Sequence, residues 1–238
     1  MMNKKVIAVA LALALAGGSY AQDDTAKKKV KAYMVSDAHL DTQWNWDLTH
    51  TIREYIPRIL FQNLWMLERY PDYKFNFEGG IIYRWMKEYY PLHYARLQKY
   101  IDEGRWHISG ASWNANDPNM PSAESFIRNI LQGQELYKRE FGVRSTDIFL
   151  PDCFGFGYTL PSLAAHCGLI GFSTQKLSWR KHDFFPDAPY HKKNPFSWGV
   201  WYGIDGQSLM AAFDTGGYTA ELPADAGYNK DFIRRASN

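Results

Sequence analysis

In the stretch VKAYMVSDAHLDTQWNW, residues 30–46, a run suited to a buried strand gives way abruptly to a histidine, an aspartate and two tryptophans. VKAYMVS carries the apolar and β-branched residues of a strand, and the polar and aromatic residues gather where that strand should end. In extended backbone, residues two apart project to the same side. His39 and Asp41 therefore point together, while Leu40 turns into the packing. An imidazole and a carboxylate so placed make two ligands of a zinc-like site. Taken alone, an H-x-D pair is a weak signal, since a chance pair or a histidine held by its own hydrogen bond is commoner. What decides the fold is whether the unit of strand, polar end and helix recurs.

It does recur. Residues 48–72 set Ile52, Ile56, Leu60, Leu64 and Leu67 at helical spacing. YKFNFEGG, residues 73–80, alternates Phe75 and Phe77 before a glycine pair, and residues 81–104 predict a helix with a break or new start near Pro91. RWHISGAS (105–112) predicts a strand, residues 122–142 a helix capped by Ser122, and DIFLPD (147–152) another strand. TLPSLAAHCG (159–168) predicts a helix, IGFSTQKL (170–177) a strand, and residues 196–214 a β-hairpin around GIDG. Trp65 and Trp85 fall at helical spacing and are expected in the core.

Such alternation argues for a parallel sheet with helices outside it, either a barrel or an open doubly wound sheet. In both, chemistry gathers beyond the carboxyl ends of the strands. The polar residues fall there: His39 and Asp41 after the first strand, Glu78 after the second, Trp113 to Asp117 after the third, Asp152 after the fourth, Gln175 and Lys176 at the end of the fifth. A closed barrel usually needs about 250 residues or more. With five units and a hairpin, this chain is expected to be part of a catalytic domain.

Composition narrows the partners. Residues 1–21 join a basic start to the apolar run VIAVALALALAGG and a small-residue end, the pattern of a secretory signal peptide, with 22–30 as a leader. The run is short for a membrane span, and no later stretch approaches one, so an exported, periplasmic or extracellular protein is expected. Setting aside Lys4 and Lys5 takes the basic residues from 27 to 25, equal to the 25 acidic ones. That balance favours neither nucleic acid nor an anionic membrane. Aromatic residues reach 16%, an enrichment that suits the faces of sugar rings. Two cysteines, Cys153 and Cys167, make no disulfide framework and are read as free thiols.

FLPDCFGFGYTLP, residues 149–161, runs from an apolar strand through Pro151 into Asp152, then a glycine-rich turn, then a helix start at Thr159 with Pro161 in its first turn. An aspartate there stands on the same side of the sheet as His39 and Asp41, although a loop-capping aspartate would look the same. Both segments together resemble glycoside hydrolase family 38, the α-mannosidases. AHLDTQWNW is similar to that family's H-x-D opening motif. ERYPDYKFNFEGGIIYRWMKEYYP, GRWHISGASWNANDPNMPSAES, FGVRSTDIFLPDCFGFGYTLP and NPFSWGVWYGIDGQSLMAAF, the last preceded by TQKLSW, follow in the family's order.

The resemblance implies the N-terminal portion of a (β/α)7-type distorted barrel over residues 31–238. It implies a retaining α-mannosidase acting on mannose-containing glycans, with one zinc ion. His39 and Asp41 match two metal ligands, and Asp152 matches the residue that is both nucleophile and ligand. Trp44 matches the aromatic that packs on the bound mannose, and Phe154 a wall of the same pocket. Asp117 and Lys176 sit in matching blocks as candidate substrate contacts. The family's fourth ligand, a histidine, and its acid/base aspartate are expected beyond residue 238. Two other functions compete with this one. A metal-dependent carbohydrate deacetylase would want an H-x-x-x-H pair that the sequence lacks. A sugar-binding fragment would keep the aromatic pocket without the acid/base.

Overall fold

A computed structural model describes residues 35–175 and 198–213. The signal-peptide and leader segments, and Lys176 with the rest of its block after Gln175, lie outside the described residues. The chain is mixed α/β, with one parallel and one mixed sheet. Strands β1 (Ser36–Ala38), β2 (Phe75–Phe77) and β3 (Trp106–Ile108) pair in parallel in that order, with Ala38 opposite Phe77 and Phe77 opposite Ile108. The second sheet contains β4 (Asp147–Phe149), β5 (Gly171–Thr174), β6 (Trp198–Tyr202) and β7 (Ser208–Phe213), in the order β4-β5-β7-β6. Its pairs are parallel except the β6–β7 hairpin.

The sheets meet at one seam. Beyond β3, the Ala111 amide donates to the Asp147 carbonyl at 2.9 Å, and Ser109 Oγ and the Gly110 amide donate to the Asp147 carboxylate at 2.8 and 3.2 Å. The parallel strands thus continue across the seam with a stagger. All of β1 to β4 present their carboxyl ends to one rim. The described strands stop short of showing closure into a barrel.

Helices α1 (Leu48–His50) and α2 (Ile56–Arg69) are joined by a π-helical turn, Thr51–Tyr55, in which the Ile56 amide reaches the Thr51 carbonyl five residues back. Ile56, Leu60, Leu64 and Leu67 line the buried face of α2 at the spacing the sequence predicts. Trp65 departs from expectation. It is 52% exposed, with the Arg69 guanidinium 5.5 Å above its ring, because it sits off the Leu60–Leu64–Leu67 stripe. Trp85 does pack against the core.

After β2 come α3 (Gly80–Tyr89), α4 (Pro91–Tyr94) and α5 (Leu97–Asp102), broken at Pro91 as its missing amide requires. Phe75, Phe77 and Trp106 stack beneath Tyr83 in the first core cluster. There the Trp106 indole donates to Tyr83 Oη at 2.8 Å, so both polar atoms are satisfied inside the core. Helix α6 (Ala123–Phe141) starts at Ser122, whose hydroxyl accepts from the Ser125 amide, and stops at Gly142 with φ 72°. It presses close to the seam. A Cβ on Gly133 would lie 2.1 Å from the Ala111 carbonyl oxygen, so no other residue fits without moving the helix. Helix α7 (Leu160–His166) packs on the second, smaller cluster built from Ile148, Leu160, Phe172 and Leu209.

Candidate metal centre

The rim above β1, β2 and β4 collects the residues with metal-binding chemistry. His39 follows β1 by one residue, and its Nε2 lies 3.4 Å from Asp41 Oδ1. Leu40 packs against the first core cluster, so the i, i+2 geometry expected from extended backbone holds. Asp152 enters from the turn after β4. One ligand atom from each of His39, Asp41 and Asp152 falls within 4.8 Å of the others. Donors about 2.1 Å from a tetrahedral ion sit about 3.4 Å apart, so the His39–Asp41 spacing already suits a cation and Asp152 needs only a small approach. The fit extends to the surroundings, since Asn116 Oδ1 on the same cleft is buried without a hydrogen-bond partner among the described residues.

Below this cluster, His39 Nδ1 lies 2.8 Å from Glu78 Oε1. Glu78 stands at the end of β2 and is 4% exposed. The sequence places Glu78 only among the polar residues after the second strand. The structure places it on the far side of His39 from Asp41. Burial by itself lowers the His39 imidazole, but the hydrogen bonds it donates to Asp41 and Glu78 overcome it and raise the group from 6.5 to about 10. Burial likewise pushes the Glu78 carboxyl up, against the pull of His39. Without a cation, one proton held between these groups offsets the crowding of negative charge.

The cleft, of about 180 Å³, is lined by His39, Asp41, Asn116, Asp117, Asp152 and Phe154, among others. Asp117 is turned partly inward on itself, since its Oδ1 accepts from the Asn119 amide at 2.8 Å. Phe154 is 66% exposed at the mouth. Trp44 is not among the lining residues and stands 72% exposed beside Trp46, with ring centroids 5.8 Å apart. The structure thus brings together His39, Asp41, Asp152, Asp117 and Phe154 and leaves Trp44 outside the cleft. The cysteines are thiols, Cys153 buried and donating to the Asn116 carbonyl at 3.4 Å.

Sequence reading missed how the loop carrying these residues is held. Thr51, fully buried on the π-helical turn, accepts from the Trp46 indole and donates to the Thr42 carbonyl, both at 2.8 Å. Such turns cluster at functional sites, but nothing in the residues 51–55 announces the widening.

Comparisons with known proteins bear on the same segments. Residues 29–235 match the glycosyl hydrolases family 38 N-terminal domain. Alpha-mannosidase G of Dictyostelium discoideum is 33% identical over 226 residues, 92% of this chain and 20% of its own. Human alpha-mannosidase 2C1 is 34% identical over 178 residues, 75% of this chain and 16% of its own. The chain therefore spans a fifth or less of the length of these relatives. An alpha-mannosidase of Enterococcus faecalis V583, known as a crystal structure, shares the fold with a TM-score of 0.68 at 21% identity, over 85% of this chain and 22% of that one.

Proposed function

This chain belongs to glycosyl hydrolase family 38, and on that footing we propose that it supplies the nucleophile and metal ligands of a retaining α-mannosidase acting on mannose-containing glycans. The observation that carries the reading is the convergence of Asp152, from the second sheet, with His39 and Asp41, from the first. Three side chains from two distant segments would not meet at the rim of a parallel sheet by local geometry alone.

The chemistry follows from what each residue can do. The Asp152 carboxylate attacks the anomeric carbon, forming an ester-like bond as the glycosidic C–O bond breaks and its electron pair leaves on the departing oxygen. A second carboxyl group about 5 to 5.5 Å away protonates that oxygen and then activates water to release the sugar. That acid/base and a further histidine ligand come from outside the described residues. Zinc bound by His39, Asp41 and Asp152 would hold sugar hydroxyls and keep the Asp152 carboxylate ionised. Phe154 offers an apolar wall to the ring, Asp117 an acceptor for a hydroxyl, and Trp44 a flat face that closes on the sugar from beside the cleft. Lys176 is the remaining candidate contact.

The reading includes completion of a (β/α)7-type barrel around the seam and export directed by residues 1–21. Mature protein beginning at Gln22 in the exported fraction would check the second point. The main test is metal analysis of the whole protein with a 4-nitrophenyl α-mannoside assay before and after chelation. Hydrolysis should fall with the metal and return with zinc. Activity that survives complete metal removal overturns the mechanism.

A further inference from the structure

We infer that Glu78 is a positioning residue for His39, fixing the rotation and tautomer of its ring so that Nε2, and not Nδ1, is presented to a cation. The inference rests on the metal reading above and adds a residue to it. Its grounds are geometric. Oε1 of Glu78 lies 2.8 Å from Nδ1, while Nε2 faces Asp41 at 3.4 Å. A ring held at one nitrogen by a carboxylate keeps its proton there and leaves the other lone pair for the ion. Glu78 is buried, and a buried glutamate is seldom retained without a partner that uses its charge.

The backbone around it is shaped to admit it. Gly110, the residue that passes over Glu78, has φ +63°, and a Cβ there would lie 3.0 Å from both Cβ and Oε2 of Glu78. Glu78 itself is followed by Gly79 with φ +92°, so the strand turns at once into α3 and leaves the carboxylate at the rim. His39 and Glu78 are 39 residues apart and meet only because β1 and β2 pair in register, with Ala38 opposite Phe77.

The test is zinc affinity in the whole protein, measured by competition with a chromophoric chelator, for wild type, Glu78→Gln, Glu78→Ala and Asp152→Asn. The isosteric Glu78→Gln removes the charge and keeps the shape, and near-UV circular dichroism confirms its fold if the alanine variant fails to fold. Both Glu78 variants should bind zinc about ten- to a hundredfold more weakly. The visible absorption of the cobalt form should shift, and excess zinc should restore kcat in Glu78→Gln. A glutamate with only a structural role would lower thermal stability without that rescue. Unchanged zinc affinity and cobalt spectrum in Glu78→Gln, beside weakened binding in Asp152→Asn, overturn this inference alone. Failure of the wild-type protein to bind zinc overturns the metal reading beneath it.

Discussion

His39 with Asp41 and Asp152, and His166 with Asp205, combine the same residue types at two places in the fold. At the second place, Asp205 of the β6–β7 turn accepts from Ser162 Oγ at 2.5 Å and from the Gln207 amide at 3.1 Å, and its other oxygen lies 2.8 Å from His166 Nε2. Each carboxylate oxygen there meets a donor, and His166 is mostly exposed. The cluster pins the hairpin to α7, where Gly203 comes so close that a Cβ would lie 2.2 Å from Ser162 Oγ. At the rim, by contrast, two carboxylates and an imidazole converge on one another, with a third carboxylate behind the ring. Three side chains that each bring one ligand atom within 4.8 Å of the others make a place for a cation, which a single carboxylate set among donors does not. Residue type does not distinguish the two, but the direction of the polar atoms does.

Replacing one residue from each cluster is the severest way to break this contrast. Asp152→Ala should lower kcat on a 4-nitrophenyl α-mannoside by about a thousandfold or more, whereas His166→Ala should leave it within about twofold. Comparable losses in both would erase the distinction. Zinc sharpens it next. At a hundredfold over its Kd, zinc should add about 2.7 kcal/mol to the stability of the wild-type protein. Calorimetry should show that gain vanish in His39→Ala and persist in His166→Ala. Smaller again, Ser162→Ala should cost about 1 kcal/mol in denaturant unfolding with zinc affinity unchanged.

Acid gives the smallest effect. The hydroxyl of Ser162, with the Gln207 amide and His166, holds Asp205 down from 3.8 to about 2. A depressed carboxyl contributes stability that is fully present above its unfolded value and lost as pH falls through the folded one. The hairpin should therefore loosen between about pH 4 and pH 2, read by amide exchange at Met210 and Leu209, and Asp205→Asn should remove that pH dependence.

Much of the rim was legible in the sequence for physical reasons. His39 and Asp41 share a side because extended backbone repeats every two residues, and Asp152 follows an apolar strand that must end where its proline and turn begin. The helical stripe of α2 and the break at Pro91 were equally plain. Trp65 was misread because helical spacing locates a stripe but not its width. The Glu78–His39 and Asp205–His166 pairs each join residues 39 positions apart, set by strand register and by hairpin docking, which no local pattern encodes. The exposed position of Trp44 beside the cleft depends on loop closure, and that too lies beyond residue spacing.

The π-helical turn at Thr51–Tyr55 carries one residue more than an α-turn, which amounts to about 100° of helical phase. Removing a single residue there would leave the Ile56–Leu67 stripe seated while rotating everything upstream, carrying the Thr51 hydroxyl out of reach of Thr42 and Trp46. This short segment should therefore accept many changes of side chain and almost no change of length, a constraint that fixes how insertions and deletions can be distributed along the first unit of the fold.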